Sequence, residues 1–231
     1  MTAALAIILG LVLLWLLYGP LPTLYVKGRQ RRELARLAGP ALLLTFDDGP
    51  DPNYTPAFLD VLGRNQAKAL FFLVGSQAGR YPELAARIRE EGHTLGWHGP
   101  RHQNMWFTGY FATKKALQAG VMLAPGGQTP RYYRPPYGNV NVFTLALAQK
   151  YGLRLLLWTV MIRDWRLTQP LTLLERLEQG CQKGGVLLLH DCGADSSAQP
   201  GAPANTLKAL EMFLPQMRAQ GYPFLDPKDL P

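Results

Sequence analysis

The sequence is poor in cysteine, and it carries neither an internal repeat nor a low-complexity tract. Its two cysteines, Cys181 and Cys192, form no disulfide framework and no close metal-binding pair, so we expect free thiols. The missing repeat excludes solenoid and propeller architectures. A hydrophobic share of 48% and an aromatic share of 10% exclude a disordered chain. With 231 residues, the sequence predicts one sizeable domain and excludes a fusion of two enzymes.

The first 26 residues contain no charged side chain. Most of this segment is Leu, Ile, Val, Ala and Trp, without the polar spacing that marks the solvent face of a core helix. No Lys or Arg precedes the apolar run and no small-x-small cleavage site follows it, which disfavours a secretory signal peptide. We therefore predict one N-terminal transmembrane helix that anchors the chain in the cell membrane in a single pass.

A cluster of basic residues follows the apolar segment directly. Residues 27–36 hold five Lys or Arg and one Glu, a local charge of +4 in a chain whose net charge is +8. The cluster fits anionic lipid headgroups, and it argues against nucleic acid because no basic and aromatic platform recurs elsewhere. We predict a membrane anchor over 1–26, a basic juxtamembrane linker over 27–39 and a folded domain over 40–231. The positive-inside rule favours a cytoplasmic domain, but the side of the membrane stays open.

Short apolar runs alternate with amphipathic stretches from residue 41 onward. The strand candidates are Ala41–Phe46, Ala69–Val74, Thr94–Trp97, Tyr132–Arg134, Leu153–Val160, Gly185–His190 and Pro223–Leu225. The clearest helix candidates are 82–91 and 204–220, in which apolar residues recur on one face. This order predicts an α/β fold with parallel strands joined by helices, as either a doubly wound sheet or a barrel.

Polar side chains stand where the apolar runs end. These residues are Asp47, Asp48, His98, Arg134, Asp164 and His190. In open α/β sheets and in barrels, functional side chains collect at the carboxyl ends of the strands. We therefore expect these residues to meet at one edge of the sheet.

Two histidines four residues apart and a nearby carboxylate predict a metal site. His98, His102 and Asp48 would supply two imidazoles and one carboxylate, a set that leaves positions open for water and substrate. Taken alone, the histidines could be surface side chains and the carboxylate the start of a turn. Their joint placement favours the metal site. Asp47 would then accept a proton from an activated water and His190 would protonate a leaving group, which describes hydrolysis of an amide or ester.

Five motifs resemble those of the polysaccharide deacetylases, the NodB-homology or carbohydrate esterase family 4 enzymes. In chain order they are Thr45-Phe46-Asp47-Asp48-Gly49-Pro50, His98-x-x-x-His102, Arg134-x-Pro136-Tyr137, Asp164-Trp165 and Leu188-x-His190. The resemblance covers about residues 41–230. It implies a deformed (β/α) barrel of the NodB type, and metal-dependent removal of an N-acyl group such as acetyl from an amino sugar.

The resemblance also implies a role for each matching residue. Asp47 corresponds to the catalytic base and His190 to the catalytic acid. Arg134 would orient the base, and Asp164 would orient and tune the acid. The backbone N–H of Tyr137 would help hold the oxyanion. The implied ligands of zinc, or of a similar divalent ion such as cobalt or nickel, are Asp48, His98 and His102, and the implied substrate contacts are Trp165, Leu188 and Pro136.

Two positions depart from the family pattern. Gly99 stands where the family usually has Ser or Thr after the first metal histidine, which removes a hydroxyl that could brace this loop and leaves rigidity to Pro100. Met161 stands three residues before Asp164, where many members carry another Asp. Neither change removes a ligand, base or acid, so we expect an active hydrolase of non-peptide carbon–nitrogen bonds whose substrate preference is open.

Three hypotheses remain for the function. The first is deacylation of an N-acylated amino-sugar glycan of the cell wall or of the membrane. The second is deacylation or deformylation of a lipid-linked sugar precursor, and the third is a non-catalytic glycan-binding barrel, against which the complete acid, base and orienting cation argue. Residues 105–111 also hold four aromatics directly after the metal motif. Such residues are mostly core, but exposed ones would fit a substrate presented at the bilayer interface.

Overall fold

The structure, a computed structural model, describes residues 2–123, 127–193 and 198–230. The helices in these ranges are α1 (Thr2–Tyr18), α2 (Pro20–Ala38), α3 (Thr55–Arg64), α4 (Gly75–Arg80), α5 (Pro82–Glu90), α6 (Tyr110–Leu123), α7 (Thr144–Lys150), α8 (Pro170–Cys181) and α9 (Ala202–Ala219). The strands are β1 (Leu42–Asp47), β2 (Ala69–Leu73), β3 (Thr94–Trp97), β4 (Tyr132–Tyr133), β5 (Arg154–Leu155), β6 (Val160–Met161) and β7 (Gly185–His190). Short 3-10 turns cover Met105–Phe107, Pro136–Gly138 and Pro227–Asp229.

The strands form one curled, fully parallel sheet in the order β5-β4-β3-β2-β1-β7-β6. β1 lies near its centre and pairs with β2 on one side and β7 on the other, so that Asp47 stands opposite Phe72 and His190. Each of these three strands is buried along its whole length, which explains their nearly continuous apolar sequences. The sheet is an open half-barrel, and all its strands end at the same edge.

The two faces of the sheet are covered by different elements. Leu42, Leu44 and Phe46 pack into a cluster with α3, α5, α8 and α9. Leu43, which points the opposite way, packs into a second cluster to which α2 contributes Val26 and Leu34. Helix α2 therefore supplies part of the hydrophobic core on the second face.

Helices α1 and α2 form one helical run, Ala3–Ala38, which is long and apolar enough to cross a membrane by length and composition. Its two halves have different surroundings. The side chains of α1 are largely exposed, whereas α2 buries Thr23, Val26, Leu34 and Ala38 against the domain. The segment 27–39, expected to be a linker, is thus helical as far as Ala38 and packed.

The single strand expected over Leu153–Val160 is instead two short strands at opposite edges of the sheet, β5 and β6. Between these two strands, several backbone groups form hydrogen bonds with side chains. Arg134 donates to the carbonyls of Leu156 and Leu157, and the side chain of Gln30 accepts from the N–H of Leu157. The expected strand at Pro223–Leu225 is reduced to one bridge between Leu42 and Phe224.

Candidate active site

The strand ends bring the predicted metal ligands together. Asp48 follows β1 and His98 follows β3, and Nε2 of both His98 and His102 lies 3.3 Å from Oδ1 of Asp48. One potential ligand atom from each residue lies within 4.8 Å of the others. Asp48 has a left-handed backbone, with φ 78°, which is uncommon outside glycine and aims its carboxylate at the histidines. These three residues form a group that could hold a metal ion.

The electrostatics of this group are those of a site built for a cation. Both carboxylate oxygens of Asp48 are buried, and neither makes a hydrogen bond of normal geometry within the described residues. Burial would raise the pKa of Asp48, but the neighbouring histidines outweigh burial and lower it. Burial likewise lowers the pKa of His102 and favours its neutral form. An ionised carboxylate beside a histidine that favours its neutral form suits a divalent metal, which binds deprotonated ligands.

A backbone carbonyl orients His98. Its Nδ1 lies 2.7 Å from the carbonyl oxygen of Arg134. Because a carbonyl can only accept, Nδ1 donates this hydrogen bond, and Nε2 is left facing Asp48 as the ring atom that could bind a metal.

The loop after His98 is braced by backbone groups, which accounts for the missing Ser or Thr hydroxyl. Gly99 has φ 94°, a conformation that suits glycine. Its carbonyl accepts from the N–H of Gly75, and the carbonyl of Pro100 accepts from the N–H of Ser76, each at 2.9 Å. The N-terminus of α4 thus performs the bracing that a side chain would otherwise supply.

Asp47 is held by a fully buried arginine. Nη1 of Arg134 donates to Oδ1 of Asp47 at 2.7 Å and to the hydroxyl of Thr45 at 2.8 Å. The guanidinium lies 4.1 Å from the centre of the Phe72 ring. Burial lowers the pKa of Arg134, and Asp47 opposes this shift. With Oδ1 committed to Arg134, Oδ2 faces the metal-ligand group, 3.8 Å from Nε2 of His98.

His190 is paired with Asp164. Its Nδ1 lies 2.9 Å from Oδ1 of Asp164, and its backbone N–H donates to Oδ2 of the same carboxylate at 2.8 Å. Burial lowers the pKa of His190, but Asp164 and the other nearby carboxylates outweigh burial and raise it to about 9. His190 is therefore protonated at neutral pH, the state that a general acid requires.

These residues surround one pocket with a volume of about 270 Å³. Its lining consists of Asp47, His98, His102, Tyr137, Trp158, Met161, Trp165, Leu188 and His190. Of the expected substrate contacts, Trp165 and Leu188 belong to this lining, whereas Pro136 is buried and does not. Met161, one of the two departures from the family pattern, offers the pocket an apolar wall.

Two residues that sequence reasoning missed are Trp158 and Lys27. Trp158 lines the pocket, but it stands in an apolar run that gives no sign of a site. Lys27, on α2, donates to the carbonyl of Tyr137 at 3.2 Å and to Oδ1 of Asn139 at 3.4 Å. Tyr137 has φ 61° and packs its ring against His102 at 4.6 Å. Helix α2 therefore touches the loop on which the oxyanion donor was expected.

Several other titratable residues lie outside the pocket. His93 accepts a hydrogen bond from the N–H of Ala69, and burial lowers its pKa to about 4. Cys181 and Cys192 are buried thiols with no disulfide between them.

In the aromatic segment 105–111, Met105 is buried, Trp106 is partly buried, and Phe107 is 76% exposed. This segment is thus only partly core.

The sequence and the fold both match one family. The sequence profile of the polysaccharide deacetylase family matches residues 35–156. A chitooligosaccharide deacetylase of Azorhizobium caulinodans is 31% identical over 189 residues, which cover 79% of this chain and 90% of that protein. A peptidoglycan-N-acetylglucosamine deacetylase of Bacillus cereus is 31% identical over 195 residues, which cover 82% of this chain and 87% of that protein.

A solved structure agrees with the sequence comparison. The crystal structure of a peptidoglycan N-acetylglucosamine deacetylase is similar to this chain with a TM-score of 0.75 at 28% identity, covering 84% of this chain and 91% of that one. The deformed (β/α) barrel of the NodB type is therefore confirmed. The chain is a hydrolase of non-peptide carbon–nitrogen bonds, and it belongs to the polysaccharide deacetylase family.

Proposed function

We propose that this chain is a membrane-tethered, metal-dependent N-deacetylase that removes acetyl groups from N-acetylglucosamine residues of a glycan. One observation carries the proposal: Asp47 and His190 stand opposite each other on paired strands and line one pocket with His98 and His102, the two histidines of the metal-ligand group. A glycan-binding module needs none of these groups, whereas amide hydrolysis needs a base, an acid and a means to polarise the carbonyl.

Asp48, His98 and His102 would hold the metal. Both oxygens of the buried Asp48 carboxylate lack a hydrogen bond of normal geometry within the described residues. A metal ion is a partner that such oxygens could bind. Two imidazoles and one carboxylate suit zinc, and also cobalt or nickel. A divalent ion bound there supplies Lewis acidity, which polarises the acyl carbonyl and lowers the pKa of water.

The side chains of the pocket then perform two proton transfers. Oδ2 of Asp47 accepts a proton from the water that attacks the acetyl carbon, while Arg134 holds the carboxylate in its orientation. His190 donates its proton to the amide nitrogen as the carbon–nitrogen bond breaks, and Asp164 stabilises the imidazolium before transfer. The products are acetate and the free amine.

The relatives support the substrate class. One is named for chitooligosaccharide and another for peptidoglycan N-acetylglucosamine, and both compounds carry N-acetylated glucosamine. The pocket, with a volume of about 270 Å³, is below the roughly 300–1,000 Å³ of pockets for drug-sized ligands. We infer that it takes one sugar with its acetyl group, and that the rest of the glycan lies across the open surface. The exposed apolar helix α1 supports the tether.

The test is acetate release from N-acetylglucosamine oligomers, peptidoglycan fragments and lipid-linked amino sugars by the full chain loaded with Zn²⁺, Co²⁺ or Ni²⁺. Asp47→Asn is expected to lower turnover by about 10³-fold, since it removes a general base. Asp60→Asn, which alters an exposed carboxylate paired with Arg87, is the matched control and should retain full activity.

Two results would contradict the proposal. One is a wild-type chain that is inactive on every substrate with every metal. The other is an Asp47→Asn variant as active as Asp60→Asn. If the chain is active, a preference for lipid-linked sugars over oligomers would identify the lipid-linked precursor as the substrate in place of the wall polymer.

A further inference from the structure

A chain of aromatic rings joins α1 to an exposed edge of the catalytic domain. We call this group the aromatic rim, and it consists of Trp106, Phe107, Tyr110, Phe111 and Phe143. Trp15 of α1 contacts Trp106 with ring centres 5.6 Å apart, and Tyr18 contacts Phe143 at 6.0 Å. Tyr110 lies 5.3 Å from both Phe143 and Phe111, which extends the series away from the helix.

The position of the rim relative to α1 is fixed by contacts at the end of that helix. The hydroxyl of Tyr18 donates to the carbonyl of Thr108, and the N–H of Val142 donates to the carbonyl of Tyr18 at 3.0 Å. Gly19 is buried so closely under Trp106 that a Cβ there would lie 2.7 Å from the indole. Wherever the end of α1 lies in a bilayer, the rim lies at the same depth.

The outer surface of the helical run shows how far the apolar zone extends. Leu21, Leu24 and Tyr25 are exposed, and the basic residues begin only at Lys27. Gly19, which contacts the rim, is six residues before Tyr25, which is about 9 Å along a helix. A bilayer that covers Leu24 and Tyr25 therefore also reaches the rim.

The exposed residues of the rim are those expected at a membrane–water interface. Phe107 is 76% exposed and Phe111 is 81% exposed. Lys114 and Lys115 follow Phe111 on α6, and residues 92–163 contain no Asp or Glu. Aromatic side chains flanked by cations match the headgroup region of an anionic bilayer in both polarity and charge.

We propose that the aromatic rim is a membrane-docking surface, which inserts into the interface of an anionic bilayer and presents the pocket to glycans held there. The proposal rests on the proposed tether, helix α1. Asn104 links the rim to the pocket, because its Oδ1 accepts from the N–H of Trp106 at 3.0 Å and from Nδ2 of Asn139 at 3.2 Å. Asn139 stands two residues after Tyr137 of the pocket lining.

Depth measurements on the full chain in vesicles test the proposal without an activity readout. Cysteines introduced one at a time at three positions carry a polarity-sensitive fluorophore, and the two native cysteines, Cys181 and Cys192, are buried, so we expect them to resist labelling under native conditions. Ala112→Cys is exposed beside Phe111, Lys208→Cys is exposed on α9, and Gly10→Cys lies in α1 with open space around it. Vesicles of phosphatidylcholine, with and without phosphatidylglycerol, contain a nitroxide lipid that quenches fluorophores in the bilayer.

We expect quenching at positions 10 and 112, and none at 208. Phe107→Ser and Phe111→Ser in the Ala112→Cys chain should each reduce the docked-to-undocked ratio by about tenfold. Lys114→Gln and Lys115→Gln should each reduce it by about fivefold, in phosphatidylglycerol vesicles only. The doubly substituted Phe107→Ser, Phe111→Ser chain should still deacetylate soluble oligomers at the wild-type rate, so a loss of docking is distinguishable from a failure of the proposed function.

Three outcomes would overturn the proposal. Quenching at 10 but not at 112 would mean that α1 is a tether and the domain stands clear of the bilayer. No quenching at 10 would remove the tether on which the proposal rests. A fluorescence change at 112 that needs no lipid and grows with protein concentration would assign the rim to a second copy of the chain.

Discussion

Two regions of the same sheet, the catalytic edge and the α2 interface, differ in what they bury. We call the strand ends that carry Asp47, Asp48, His98 and His190 the catalytic edge. We define the α2 interface as the contact of Val26, Leu34 and Gln30 with the second face of the sheet and with β5. Its apolar groups are buried together, and Gln30 both donates to and accepts from backbone groups of residues 155 and 157. The catalytic edge instead buries carboxylates and imidazoles, and leaves the oxygens of Asp48 without a hydrogen bond of normal geometry in the described part of the chain.

This difference separates two contributions of the sequence. Buried polar groups without partners and a left-handed non-glycine residue cost folding free energy, and they persist where function requires them. Buried leucine and valine side chains contribute folding free energy and no chemistry. Substitutions at the catalytic edge should therefore change activity, and substitutions at the α2 interface should change stability.

The largest effect is expected from Asp48→Asn. The amide cannot replace an ionised metal ligand, so metal binding should be lost and turnover should fall by about 10³-fold or more. The metal-free variant should be only modestly less stable than the metal-free wild type: Asn tolerates φ 78° as well as Asp does, but it loses the interaction with the histidines that lowers the pKa of Asp48. Metal content, acetate release and thermal unfolding measure the three quantities. A variant that loses activity only because it unfolds would break the comparison.

The sequence predicted that the residues of the catalytic edge would meet at one edge of the sheet because they lie in short motifs at the ends of apolar runs. Asp47 and Asp48 follow a buried strand directly, and parallel strands bring their ends together whatever the details of packing. The sequence did not reveal the packing of α2. Its outward basic residues, Arg31 and Arg32, dominate the composition of the segment, and they conceal the apolar face on which Leu34 lies. Which helix covers a sheet face depends on tertiary contacts that local periodicity does not contain.

At the α2 interface, Leu34→Ala is expected to reduce the free energy of unfolding by about 3 kcal/mol, because it leaves a cavity where a leucine is 4% exposed. Leu37→Ala, three residues further on the same helix, removes the same atoms from a side chain that is 37% exposed, and should cost less than about 1 kcal/mol. Denaturant unfolding of the two variants in detergent gives the difference. Turnover per folded molecule should be unchanged in both variants. Equal losses of unfolding free energy in the two variants would show that α2 does not supply core packing.

Asp164→Asn tests the proposed role of His190 at the catalytic edge through the pH dependence of activity. As the proposed general acid, His190 would act in its protonated form, so activity should persist through neutral pH and fall as the pH rises through about 9. Without the Asp164 carboxylate the pKa of His190 falls, so this alkaline limb should move to lower pH, with a loss of about tenfold in turnover at neutral pH. The pH–rate profile of Asp60→Asn is the reference. A limb that stays in place would mean that another group sets it.

Lys27→Met examines a contact at which the two regions meet. Methionine keeps the side-chain stem on α2 but cannot donate to the carbonyl of Tyr137, so the loop that carries the expected oxyanion donor should be less firmly placed. We expect kcat to fall by about threefold with KM unchanged, because the contact positions a group that acts in the transition state. Arg31→Met changes a fully solvated cation of the same helix and should leave both constants unaltered. If Lys27→Met lowers only the unfolding free energy, α2 acts on stability alone and the two regions are independent. A selective loss of kcat would instead make the helix that follows the membrane segment a part of the catalytic apparatus.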